Sequence, residues 1–244
     1  KPEDPAALRE FFSRMGFRTW LRELNTEVAA SSAADTPAAQ HASGPQGALF
    51  AADPPPETHY EMVLTDAQLD TWLERISTAP LTAFDTETTS LDPMRAEIVG
   101  LSFSVEPGIA AYVPVHHRYP GAPEQLSRDH VLNKLRHWLE DPAYPKLGQH
   151  LKYDSHVLAN HGIALRGIVH DTLLQSYVLE SHRSHDMDSL ALRWLDRKTI
   201  SYEEVCGKGA SQIGFDEVSI ERATEYAAED ADITLQCISD VAAR

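Results

Sequence analysis

Asp85 and Glu87 close an apolar stretch, Leu81-Thr82-Ala83-Phe84, and stand two residues apart. Side chains alternate along an extended strand, so both carboxylates share one face and Thr86 takes the other. Two like charges on one strand face repel unless a cation lies between them. Asp154 follows about 70 residues on, in GQHLKYDSHVL, where a short strand runs into the first turn of a helix. A carboxylate there is favoured by the helix dipole and can serve as nothing more than a cap. About 70 residues further, YAAEDADIT sets Tyr226 and Asp230 one helical turn apart on a single face. Asp232 lies about 200° round the same helix from Asp230. With Glu225 and Glu229 it reads as an ordinary solvated acidic surface.

Taken singly, each acid has a structural explanation. Taken as an ordered set, Asp-x-Glu on a strand, a later Asp and a later Tyr-x-x-x-Asp, they point to convergence on divalent cations. Ligands that are all oxygen suit Mg²⁺ or Mn²⁺, not a structural zinc. Two such ions a few Å apart can activate a water and stabilise the leaving oxygen of a phosphodiester, and a tyrosine hydroxyl beside them can orient that water.

The elements that must position these residues are legible as patterns. Tyr60–Leu64 reads as a strand. Thr65 or Asp66 then caps a helix whose apolar face is Leu69, Trp72, Leu73 and Ile76. Pro80–Glu87 is a strand entering a polar turn. Glu97–Val105 and Ile109–Val115, joined at Glu106-Pro107-Gly108, form an antiparallel hairpin. Val131–Leu139 is helical, Lys146–Gln149 is a strand, and a helix from about Tyr153 to Asn160 ends near Gly162. Gly167–His170 is a further strand. Helices over Leu173–Leu179 and Met187–Leu195 and a long one from about Ser219 complete the chain. This order implies an α/β fold with a mixed sheet. The histidines at 116, 117, 156, 161 and 170 show no ligand spacing and read as ordinary surface or core residues.

Ahead of that lie two other zones. Residues 1–28 carry Leu8, Phe11, Phe12 and Met15 at helical spacing, continued by Phe17, Trp20 and Leu21. In residues 29–56, 20 of the 28 positions are Ala, Pro, Ser or Gly, a composition that cannot repay its ordering entropy and reads as a linker. The chain of 244 residues has 21 Lys+Arg against 37 Asp+Glu, a net charge of −16. The first 56 residues hold five basic and seven acidic residues, so −14 belongs to the rest. Such a balance argues against a surface that grips long nucleic acid by electrostatics. It does not oppose an enzyme that holds a short phosphate chain through metal ions. Two distant cysteines, Cys206 and Cys237, exclude a disulfide framework and a thiolate zinc site and make a reducing cytosol the default. No apolar run is long enough for a membrane span and no signal-peptide pattern opens the chain. Lys1 in place of Met suggests a piece of a longer protein.

The segments FDTETTSLDP, GLSFSVEPGIAAYVPV, GQHLKYDSHVLANHGI, HDMDSLALRWL and YAAEDADITLQ closely resemble the 3′–5′ proofreading exonuclease domain of bacterial DNA polymerase I. That domain belongs to the DEDD exonuclease superfamily, in the subgroup whose third motif carries a tyrosine. The resemblance runs from about Tyr60 to the C-terminus. It implies a ribonuclease-H-like fold, a central mixed five-stranded sheet flanked by helices, over residues 57–244. LREFF and FRTWLREL in residues 1–28 resemble the tail of the family's 5′ nuclease domain, whose metal-holding part would lie upstream. The polymerase domain would begin just beyond Arg244.

By the same resemblance, Asp85, Glu87 and Asp230 hold the tighter metal, where Zn²⁺ is also admissible. Asp85 bridges to a second metal that Asp154 supports, and Tyr226 with Glu87 positions the attacking water. The substrate is a single-stranded DNA 3′ end, and the product a deoxynucleoside 5′-monophosphate. Thr88, Leu91, Gln149, His150, Tyr153, Arg183 and Tyr202 correspond to substrate contacts, the aromatics by stacking on bases. His150 departs from an expected Asn, and the loop Glu180–His185 is one residue short, which leaves Arg183 as the candidate phosphate-binding arginine. The resemblance further implies a bacterial, cytoplasmic, nucleoid-associated monomer. Two other readings accompany it: a structural module with little activity, and a 3′ exoribonuclease, since RNA-processing relatives share the three motifs.

Overall fold

The computed structural model describes residues 58–242; the expected helix in 1–28 and the linker in 29–56 lie outside the described residues. Among the described residues six strands form one mixed sheet in the order β1-β4-β3-β2-β5-β6. They are β1 (His59–Met62), β2 (Thr82–Thr88), β3 (Ile98–Glu106), β4 (Ile109–Pro114), β5 (Lys146–Gly148) and β6 (Ile168–Asp171). The β2, β3 and β4 strands are antiparallel neighbours, while β1 adds parallel to β4, and β5 and β6 continue parallel beyond β2. Six strands replace the five implied by family resemblance, because the four residues of β1 pair with β4 through His59↔Ile109 to Met62↔Tyr112.

Helices cover both faces, in keeping with α/β architecture. On one side lie α1 (Asp66–Thr78), α2 (Arg128–Glu140) and α3 (Leu151–Asn160). Thr65 caps α1 by accepting from the Gln68 amide, and Gln68 returns the bond to the Thr65 N–H. Leu69, Trp72 and Ile76 are the buried stripe of α1. They join Phe84, Leu101, Phe103, Leu135 and Trp138 in the main core. The rings of Phe84, Phe103 and Trp138 meet with centroids 5.6–6.0 Å apart.

The other face is covered by α7 (Ile220–Ala242), flanked by α5 (Met187–Trp194) and the short α6 (Tyr202–Cys206); α4 (Thr172–Leu179) follows β6. The sequence pattern did not indicate α6. Buried alanines at 223, 227, 228 and 231 make the sheet-facing side of α7 shallow, which lets it lie close against the strands.

The solvated acidic face expected on α7 is corrected for two of its three residues. Asp232 is fully buried and accepts from the Tyr60 hydroxyl on β1, the Gly108 N–H in the β3–β4 turn and Gln236, each at 2.8 Å. Glu229 is buried and accepts from the Ile200 N–H at 2.6 Å. Glu225 alone is exposed, paired with Arg222. The helix has neighbours on more than one side, so the back of the Asp230 face meets protein instead of water.

Candidate active site

The four carboxylates come from three elements on two sides of the sheet. Asp85 lies opposite Ser102 and Glu87 opposite Gly100 on β3, so both project from the face that α7 covers. Asp230 sits on α7, buried. Asp154 reaches from α3 on the opposite face: its Oδ1 accepts from the Thr86 hydroxyl at 2.6 Å and the Thr86 N–H at 3.1 Å. The β5 strand is only three residues long and pairs with β2 at Thr82 and Ala83 alone. The Thr86 N–H therefore has no ladder partner on that side and is free for the carboxylate. Asp154 does not cap its own helix. The Asp171 carboxylate does that, accepting from the N–H groups of His150 and Leu151, and it caps α4 as well through Leu174.

Burial dominates the electrostatics. It pushes the Asp85 carboxyl up to about 6. It lifts Glu87 well above the ordinary range, with further contributions from the charges of Asp85, Asp230 and Asp154. Asp154 and Asp230 are raised by burial and then by Asp85. Among the described residues no Lys or Arg sits close enough to Asp85, Glu87 or Asp154 to offset this. Among the described residues no three His, Cys, Asp or Glu side chains close into a cage by themselves. The four acids stand within one another's field without being drawn to one point, as unscreened like charges should. A buried, all-oxygen donor set with no basic partner fits a hard divalent cation: Asp85, Glu87, Asp154 and Asp230 are the residues that could hold one.

Tyr226 lies half-buried beside them. Burial raises its phenol first, then the charges of Asp230, Glu87 and Asp85, so it stays protonated throughout the working pH range. Its ring meets Phe215 at 5.8 Å and Tyr202 at 6.4 Å. Tyr202 is partly exposed and stacks on Phe215 with an interplanar angle of 19°.

The remaining sequence-selected residues fall into two groups. Leu91 is 96% exposed on the loop after β2. Close by, the Tyr153 hydroxyl bonds Thr88 Oγ1 at 2.5 Å and the Ser90 carbonyl, which ties that loop to α3. His150 is exposed at the N-cap of α3 with φ 67°, a left-handed conformation that Asn and His tolerate better than most residues, and its ring faces that of Tyr153 at 6.4 Å. By contrast, Gln149 and Arg183 are occupied internally. The Gln149 amide donates to the His185 carbonyl at 2.7 Å and accepts from Thr172. Arg183 pairs with Glu180 at 3.0 Å. Sequence reasoning missed Thr86 as the holder of Asp154; its position between two acids on a strand end was the available signal. It also passed over His117, which is buried and bonded at both ring nitrogens.

Comparison with known proteins identifies the family. Residues 60–241 match the family model described as 3′–5′ exonuclease. The DNA polymerase I of Pseudomonas aeruginosa is 48% identical over 236 residues, covering 94% of this chain and 24% of that protein. The DNA polymerase I of Rhizobium leguminosarum is 38% identical over 240 residues, covering 86% of the chain and 24% of that protein. The chain thus spans about a quarter of the length of these curated relatives. Among solved structures, Trypanosoma brucei RNase D superposes with a TM-score of 0.57 at 16% identity, over 75% of this chain and 64% of that one, a likeness of fold. The chain belongs to the 3′–5′ exonuclease domain family of DNA polymerase I.

Proposed function

We propose that residues 57–244 are a metal-dependent 3′–5′ exodeoxyribonuclease that removes nucleotides from single-stranded or frayed DNA 3′ ends and so proofreads for a polymerase in the same parent chain. The observation that carries this reading is a set of four carboxylates from β2, α3 and α7 that stand within one another's field, with, among the described residues, no basic partner close to those on β2 and α3. Asp85, Glu87 and Asp230 would hold one Mg²⁺ or Mn²⁺, with Zn²⁺ also admissible there, and Asp154 with Asp85 a second. When bound, such a pair makes water a nucleophile near neutral pH and offsets charge on the leaving oxygen. Tyr226, kept protonated, orients the attacking water by hydrogen bonding and does not take its proton. Leu91, Tyr153, His150 and Tyr202 line the approach for the terminal bases, and aromatic contact there grips any sequence. Thr88 positions Tyr153 through the bond they share, and Gln149, held by His185 and Thr172, is a further substrate contact in this reading. Arg183 pairs with Glu180 through Nε, and its terminal nitrogens are the donors that would meet a phosphate. Polymerase and 5′ nuclease domains are the covalent partners, and the setting is the bacterial cytoplasm with the domain as a monomer.

The test is digestion of single-stranded DNA with Mg²⁺ or Mn²⁺, beside an RNA of the same sequence and the Asp85→Ala and Asp154→Ala variants. Mononucleotides from DNA, abolished by EDTA and by either substitution, are expected. Activity that survives Asp85→Ala, or a preference for RNA, would overturn the reading.

A further inference from the structure

Behind the two β2 carboxylates stands a buried tyrosine whose hydroxyl has a single fixed partner. Asp85, Ser102 and Tyr112 form one cross-strand row, and Glu87, Gly100 and Pro114 the next, all on the α7 face. The Tyr112 side chain leans from its own row into the neighbouring one. Its hydroxyl oxygen lies 2.1 Å from where a Cβ on Gly100 would be, so the phenol occupies space that only glycine leaves open. Gly100 is the direct partner of Glu87, and such partners keep their Cβ positions about 5 Å apart. The phenol oxygen thus stands within reach of the Glu87 carboxylate, whose charge, after burial, is the largest influence raising that phenol's pKa.

Where the hydroxyl proton points is set elsewhere. His117 Nδ1 lies 2.9 Å from the Val218 carbonyl, which can only accept, so Nδ1 carries the ring proton. Burial keeps this imidazole neutral by lowering its pKa. Nε2 is then a bare acceptor, 2.9 Å from the Tyr112 oxygen, and takes the phenol proton. The buried Ser102 hydroxyl, next in the row, has no hydrogen-bond partner among the described residues, consistent with a phenol proton committed to His117.

We propose that His117 is a positioning residue: through Tyr112 it turns a hydroxyl proton away from Glu87 and so leaves that carboxylate's oxygens open to a cation. This rests on the reading of Glu87 as a cation ligand. Without the His117 acceptor, the phenol would donate to Glu87, the buried carboxylate whose charge bears on it most, and compete with the metal. The prediction is a pattern, not a single loss. His117→Phe preserves the ring packing against Tyr112, Tyr119 and Phe215 while removing the acceptor. It should weaken Mn²⁺ binding about tenfold, the order of one charge-assisted hydrogen bond. Adding Tyr112→Phe removes the competing proton and should restore the affinity, although it deletes a second buried polar group.

The experiment is calorimetric titration of Mn²⁺ into the wild type, His117→Phe, Tyr112→Phe and the double variant, with ¹⁵N NMR of the His117 ring. A ring protonated at Nδ1 and affinity rescued in the double variant support the proposal. A ring protonated at Nε2, unchanged affinity in His117→Phe, or additive losses overturn it alone. Failure of the wild type to bind Mn²⁺ overturns the function reading and this proposal with it. Should His117→Phe not fold, His117→Leu removes the same acceptor from a smaller volume and carries the same expectation.

Discussion

Replacing Asp85 by Asn should stabilise the metal-free protein at neutral pH. The folded state lifts this carboxyl from 3.8 to about 6. Below pH 3.8 the group is protonated in both folded and unfolded chains and contributes nothing. Between the two values the unfolded chain ionises while the folded one keeps its proton, so stability falls as pH rises. Above about pH 6 the whole cost is present, about 3 kcal/mol at 1.36 kcal/mol for each factor of ten in proton affinity. That figure is a ceiling, because Asp85 is partly exposed and keeps some water. Asn has nearly the same shape and no charge, and it also relieves Glu87, Asp154 and Asp230, all of which Asp85 raises. For a folded unit of this size 1 kcal/mol moves the melting temperature about 2–4 °C. Asp85→Asn should therefore melt up to about 6–12 °C above the wild type in EDTA at pH 7.5, with the gap closing toward pH 4. Histidine titration is common to both proteins and cancels in the difference. Mn²⁺ at 1,000 times Kd should reverse the order, since a bound ion there adds about 4.1 kcal/mol to the protein that binds it. Thermal unfolding followed by circular dichroism at four pH values, with EDTA or Mn²⁺, reads all of this. Equal melting temperatures in EDTA at pH 7.5 would show that burial does not strain the Asp85 carboxylate, and the argument for a cation at this point would fail.

Other substitutions separate holding from contacting. Thr86→Val removes the 2.6 Å bond to Asp154 and keeps the N–H bond; a lost hydrogen bond to a charged group predicts a kcat lower by about tenfold or more with KM for DNA unchanged, and a wild-type kcat would refute it. Asp232→Ala strands three donors on β1, the β3–β4 turn and α7; a loss of about 3 kcal/mol or more in urea unfolding is expected, and a loss below 1 would return Asp232 to the solvated class. Leu91→Ala, at a fully exposed position, should leave stability within about 0.5 kcal/mol while raising KM for single-stranded DNA. An unchanged KM would make Leu91 a bystander.

What the sequence revealed and what it hid divide along a physical line. Chemistry carried by residue type and short-range periodicity was legible: the alternation that puts Asp85 and Glu87 on one strand face, and the helical turn that joins Tyr226 to Asp230. The strand segments were legible too, because β-branched runs broken at Pro107-Gly108 leave little choice. Family resemblance still implied five strands, since the four-residue β1 is an edge addition that pattern alone can mark. Relationships that depend on where an element stops were not legible. Thr86 holds Asp154 only because β5 ends after Gly148, and no spacing records which N–H groups a short neighbour leaves free.

Asp232 shows a second kind of blindness. Measured from Asp230 it lies on the far side of its helix, and a helical wheel assigns far sides to water. That assumption holds for a helix with one covered face. Here α7 contacts the β1–β5 strands and also α4, α5 and α6, so its two nearby aspartates take opposite duties: Asp230 faces the acids of β2, and Asp232 fastens the helix that carries it. Such a division suits a site built from like charges. Carboxylates that repel must be held by groups that do not share their charge, and the holders of Asp154 here are the N–H and hydroxyl of Thr86. Neutral dipoles can fix the geometry of an anionic cluster without neutralising it, whereas a lysine or arginine in the same places would hold the acids just as firmly and take the cation's place.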